Sequence, residues 1–92
     1  MSIEPNSKPR LAPGVRLGES QGQRVLLMPE RALRLNGPSL EIVQRCDGQR
    51  TVEQIIGELQ LLYSKADPHK VKSDILGYLA LLQKDRALDF EP

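Results

Sequence analysis

The chain is poor in the residues that carry chemistry. It has no tryptophan, one phenylalanine, two tyrosines, one histidine (His69) and one cysteine (Cys46). A lone cysteine forms no internal disulfide, which fits a reducing cytoplasm. Neither His69 nor Cys46 has neighbours at metal-ligand spacing, and Gly14 and Gly18 lack the continuation that a phosphate-cradling loop needs. No acid–base pair stands out. Catalysis, a metal and a bound cofactor are therefore not expected. Charge of one sign is lacking too: 13 Lys and Arg against 12 Asp and Glu leave +1, a weak footing for a phosphate backbone. The longest strongly apolar stretch, Tyr78 to Leu82, falls far short of the ~20 residues that span a membrane. The opening Met-Ser-Ile-Glu-Pro has no secretion pattern, so the expected location is the cytoplasm.

What is present suits one small globular domain: 92 residues, 39% hydrophobic and 27% charged. Pro5, Pro9 and Pro13 stand among small polar residues, and proline removes a ladder donor. Residues 1–12 are expected to form a flexible arm, and residues 13–92 the domain. From Val15 the period becomes two. Strands are predicted at about 15–18, 24–28 and 31–35, separated by Glu19 to Gln23 and by Pro29-Glu30. Tight connections in series give an antiparallel meander with the third strand at an edge.

The second half reads as helical. Asn36-Gly37-Pro38 places a capping residue and a proline at a helix start, and Asp47-Gly48 closes that helix. Thr51-Val52-Glu53-Gln54 is a capping-box pattern followed by apolar residues three and four apart. Asp67-Pro68 opens a third helix bearing Val71, Ile75, Tyr78, Leu79 and Leu82, with Leu76 and Leu81 off the main stripe. The predicted helices run over about 38–47, 52–63 and 68–86. The fold class is α+β: a three-stranded antiparallel sheet followed by a three-helix bundle, winged-helix-like.

Several stretches in order resemble one family. They are Pro13-Gly14-Val15-Arg16-Leu17, then Val25-Leu26-Leu27-x-Pro29-Glu30-Arg31, Leu35-Asn36, and Cys46-Asp47-Gly48-x-Arg50-Thr51-Val52. Ile55, Leu59, Tyr63, Val71-x-x-Asp74-Ile75 and Leu79-x-x-Leu82 follow at matching intervals. Together they are similar to pyrroloquinoline quinone (PQQ) biosynthesis protein D, over about residues 12 to 88. The chain departs from the family pattern at Ser39 and Leu40, where small residues are usual, and at Asp85-Arg86-Ala87-Leu88, where a glycine usually follows the helix.

The resemblance implies a non-catalytic peptide chaperone of PQQ biosynthesis, a recognition element of ribosomally made, modified peptide pathways. Such a module holds the precursor peptide and presents it to a radical S-adenosylmethionine (SAM) enzyme that cross-links a Glu and a Tyr of that peptide. The family's peptide adds as a strand beside the third strand and packs on the third helix.

The residues give that role a physical basis. An edge strand offers unpaired N–H and C=O groups to an extended peptide. The expected peptide-binding residues are Arg31, Ala32, Leu33, Arg34 and Leu35 on the strand, with Val71, Asp74, Ile75, Tyr78, Leu79 and Leu82 on the helix. Arg31 and Arg34 offer forked donors to acidic side chains, or only a solvated edge that discourages aggregation. For Val71, Ile75 and Leu79 plain core is the favoured reading, because this stripe must also pack the three-helix unit. Tyr78 is expected to line a groove with its hydroxyl wet, and Asp74 to cap a peptide cation or pair with Lys70. A proline at position 33 is expected to remove a ladder donor to the peptide. Two alternatives compete: winged-helix-like DNA binding, which the mixed charges of the third helix disfavour, and a self-associating protein, since an open edge also admits a second copy as a homodimer. No nucleic acid and no membrane are expected as partners.

Overall fold

The computed structural model describes residues 3–91; residues 1 and 2 of the expected arm and residue 92 of the expected domain lie outside them. Three strands form the meander: β2 (Arg16–Ser20), β3 (Gln23–Met28) and β4 (Arg31–Arg34). They are preceded by β1 (Lys8–Leu11) and followed by α1 (Gly37–Gln44), α2 (Val52–Leu62), α3 (Pro68–Lys84) and β5 (Leu88–Glu91). The meander is antiparallel in the order β2-β3-β4, as the sequence predicts. Gln21 and Gly22 both take positive φ between β2 and β3, the backbone of a tight hairpin turn. Pro29 with Glu30, at φ 62, turns the chain into β4.

The row Leu17–Leu26–Leu33 crosses the inner face of the sheet. Leu26 and Leu35 are buried in one core with Ile42 and Val43 of α1, Val52, Ile55 and Leu59 of α2, and Ile75, Leu79 and Leu82 of α3. The α1 start is held by Ser39, whose Oγ accepts from the Asn36 N–H at 2.9 Å and donates to the Asn36 carbonyl at 2.8 Å. Helix α1 ends at Gln44, short of the predicted 47, so Cys46 stands beyond it; its buried Sγ donates to the Ile42 carbonyl at 3.3 Å. Burial, helped by the Asp47 charge, pushes that thiol up to about 12 and leaves it inert.

One expectation is corrected. The segment read as a loose arm forms β1 over residues 8–11, paired antiparallel with β5 in a second, two-stranded sheet. The Ala12 N–H donates to Ala87 O at 2.9 Å, so by alternation Pro9 occupies a position that makes no ladder bond to β5. Its carbonyl instead accepts from the Gly48 N–H at 2.9 Å. The prolines were compatible with a strand because Pro9 meets β5 where no donor is needed. The carbonyls of Ser7 and Pro5 go on to accept the Val52 and Glu53 N–H groups, each at 2.9 Å, and Thr51 Oγ1 accepts from Gln54 at 3.1 Å. The segment before the meander therefore completes the cap of α2.

The Asp-Gly-x-Arg-Thr motif builds the corner between α1 and α2. Asp47 Oδ1 accepts from the Gln49 and Arg50 N–H groups, while Gly48 takes φ +76 with its Cβ direction 3.4 Å from Arg10 Cβ. Glu58 of α2 accepts from Arg45 Nε at 3.0 Å and from Arg50 Nε at 2.8 Å, and Arg45 also donates to Glu41 at 2.6 Å. One carboxylate thus ties both helices to the corner.

Helix α3 closes in a Schellman turn: Arg86 N–H bonds to Gln83 O and Ala87 N–H to Leu82 O. Arg86 carries the left-handed conformation this turn needs, at φ 60, where glycine would fit without strain.

The Arg50 and Arg45 hydrogen bonds hold the Glu58 carboxyl below its ordinary value, against a smaller opposing effect of burial. A lowered folded value means that its stabilisation is present above the ordinary carboxylate range and is lost as pH falls below that range. Glu58→Gln is expected to lower the melting temperature at pH 7 and to shrink the difference from the parent toward pH 3. Thermal melts across that range check it; a constant difference at every pH contradicts it.

Candidate functional site

The edge of β4 is open. Leu35 N–H donates to Arg24 O at 2.9 Å, which fixes Arg24–Leu35, Leu26–Leu33 and Met28–Arg31 as the hydrogen-bonded pairs of the ladder. By the same alternation Ala32 and Arg34 direct their N–H and C=O groups away from β3, and neither has a backbone partner among the described residues. This corrects the expectation for position 33: the Leu33 donor serves β3, so a proline there would damage the sheet and not the free edge. Ala32 and Arg34 are exposed on the outer face, and Leu33 is half-buried on the inner one.

Helix α3 presents two very different faces along this edge. Leu35 at the end of the strand and Ile75, Leu79 and Leu82 on the helix are buried in the core. All four pack the core, where the stripe that faces the sheet also seals the helical bundle. Of the four, Ile75 also lines a cavity. The adjacent flank carries Asp74, Tyr78, Leu81 and Asp85, spaced four, three and four residues apart. Leu81 is 46% exposed, and Asp85 accepts from Arg31 of β4 at 3.5 Å. That ion pair joins the C-cap of α3 to the start of β4. Val71 is half-buried and Asp74 is exposed, 3.7 Å from Lys70. Past Pro38 a cavity of about 150 Å³ lies among Ile42, Tyr63, Val71 and Ile75, with Lys70 and Asp74 also lining it.

Tyr78 departs from expectation in one respect. Its hydroxyl is buried without a hydrogen bond, not wet. Burial pushes its phenol above the ordinary value, and Ser39 opposes this. The Ser39 hydroxyl spends its proton on the Asn36 carbonyl and one lone pair on the Asn36 N–H, so it has no proton to give the phenol. Exposed Leu81 and the Arg31-paired Asp85 lie outside the set expected from the sequence. The available signals were a large apolar residue off the main stripe and an acid at a helix C-terminus, where the dipole disfavours it.

A small α+β domain whose sheet stops at an unpaired strand has an architecture able to take a peptide as an added strand, as peptide-recognition domains do. Among the described residues no cluster of His, Cys, Asp and Glu is able to hold a metal ion, and no helix is long and apolar enough to cross a membrane. The fold matches the solution structure of the PqqD truncation of Methylobacterium extorquens PqqCD, described as a functional, stand-alone RiPP recognition element. The TM-score is 0.75 and identity 37%, over 96% of this chain and 95% of that one. The family model for coenzyme PQQ synthesis protein D (PqqD) matches residues 23–88, and the chain belongs to that family. It is 39% identical to the PqqA binding protein of Xanthomonas oryzae pv. oryzae, over 95% of this chain and 96% of that protein. It is also 41% identical, over 88% of its length, to 22% of the bifunctional coenzyme PQQ synthesis protein C/D of Methylorubrum extorquens.

An unpaired buried hydroxyl costs about 1–3 kcal/mol. Tyr78→Phe is therefore expected to leave stability unchanged or raise it by up to about 1 kcal/mol in denaturant unfolding. A loss larger than that would show that the hydroxyl has a partner.

Proposed function

We propose that the chain binds PqqA, the precursor peptide of PQQ synthesis, by taking an extended segment of it as a fourth strand against β4, and that it presents the peptide to a radical SAM enzyme. The open edge at Ala32 and Arg34 carries this reading. It supplies four main-chain groups in the register that an incoming strand requires. Inward side chains of that strand would lie between Leu33 and the Tyr78–Leu81 flank, and the chain beyond would approach the cavity past Pro38. Relatives named as PqqA binding proteins, matched over nearly their whole length, support the identity of the peptide. The role is one of holding and orienting; no residue of the site is asked to transfer a proton or an electron.

Substitution of the two neighbouring strand positions tests the mechanism. Ala32→Pro removes an outward donor and puts a ring where the peptide backbone must approach, while every β3–β4 ladder bond is kept. It is expected to melt close to the parent and to bind PqqA at least about tenfold more weakly by calorimetry. Leu33→Pro, which breaks the ladder itself, is expected to lower the melting temperature. An Ala32→Pro protein that folds and binds PqqA with unchanged affinity overturns strand addition at β4.

A further inference from the structure

At the turn end of β4 lies a cleft of about 240 Å³, walled in part by Pro13, Val15 and Met28 and lined also by Arg31, Asp85 and Arg86. Its charges do not balance. Arg31 reaches across to Asp85 at 3.5 Å, with side chains 56% and 22% exposed, while Arg86 has no ion-pair partner among the described residues. Two guanidinium groups and one carboxylate leave room for one more anion. The placement of Arg86 points the same way. It occupies a left-handed turn position at φ 60 that disfavours any side chain, and a strained residue held in a cleft is a reason to look for a role.

We infer that this cleft is a carboxylate subsite for an acidic side chain of the bound strand, and that in the free protein Asp85 occupies Arg31 in its place. The inference rests on the reading of β4 as the peptide-binding edge. Arg31 and Leu33 share the inner face of β4, so the inward residue of an added strand beside Arg31 is two positions from the one beside Leu33. The peptide pattern recognised is an acidic residue and an apolar residue separated by one. The acid takes the forked donors of Arg31 and Arg86, its stem lies on the apolar wall, and the apolar residue covers Leu33 and Leu81. Asp85 sets the selectivity: it must be displaced, and a neutral side chain does not displace it.

The test uses the full chain with synthetic PqqA, and PqqA analogues in which each carboxylate in turn becomes the amide, titrated by calorimetry at low salt. Arg86→Gly is expected to melt higher than the parent yet bind PqqA roughly two- to fivefold more weakly. Asp85→Asn is expected to bind it roughly two- to fivefold more tightly. Both differences should vanish for one particular amide analogue, which identifies the acid. If both variants bind PqqA as the parent does, while amide shifts at Arg31 to Arg34 persist on binding, the subsite is wrong and strand addition stands. If PqqA produces no shifts at β4, strand addition fails and the subsite falls with it.

Discussion

The two sheets of this domain differ in how their main-chain groups are used, and that difference governs the rest. Strand β1 is engaged on both sides, by β5 and by the Asp47–Gly48 corner, with a single bridge at Arg10 and Asp47. Strand β4 is engaged on one side only. An open edge of exposed backbone is an aggregation hazard that proteins blunt with charge and short length. β4 is short, and arginine stands at each of its ends. Those features keep the edge soluble while leaving its hydrogen-bonding groups available, the condition a peptide-recognition strand must meet.

Rigid surroundings make that edge useful. The Glu58 carboxylate joins α1, α2 and their corner, and the segment before the meander caps α2. With α1 and α2 so fixed, α3 is free to divide its circumference. One stripe, Ile75, Leu79 and Leu82, fills the core; beside it run Asp74, Tyr78 and Leu81, with Asp85 at the helix end paired to Arg31. The Asp47 to Val52 motif lies in the corner between α1 and α2, away from the β4 edge. Its role here is to shape the scaffold.

The meander and the helices were legible because their signals are local: alternation, paired turn residues, a capping box and Asp-Pro at a helix start. The sheet of β1 and β5 was not, since it joins residues some eighty positions apart and no local pattern announces such a pairing. Pro9 reinforced the misreading, for a proline argues against a strand only where its missing donor is needed. The open edge of β4 was legible from the order of the strands, whereas periodicity alone left the α3 stripe readable as core or as a binding face. Periodicity shows that residues share a face without showing which neighbour covers it. Leu81 and Asp85, off that stripe, became visible only when Arg31 was seen to reach the end of α3.

Amide hydrogen exchange at β4, measured with and without bound PqqA, addresses the central claim most directly. Leu33 and Leu35 already bond to β3 and should change little. The account predicts that Ala32 and Arg34 exchange freely in the isolated domain and slow at least about tenfold when PqqA is present in excess. Unchanged exchange at both amides in a saturated complex would contradict it, because the peptide would then be held without completing the sheet.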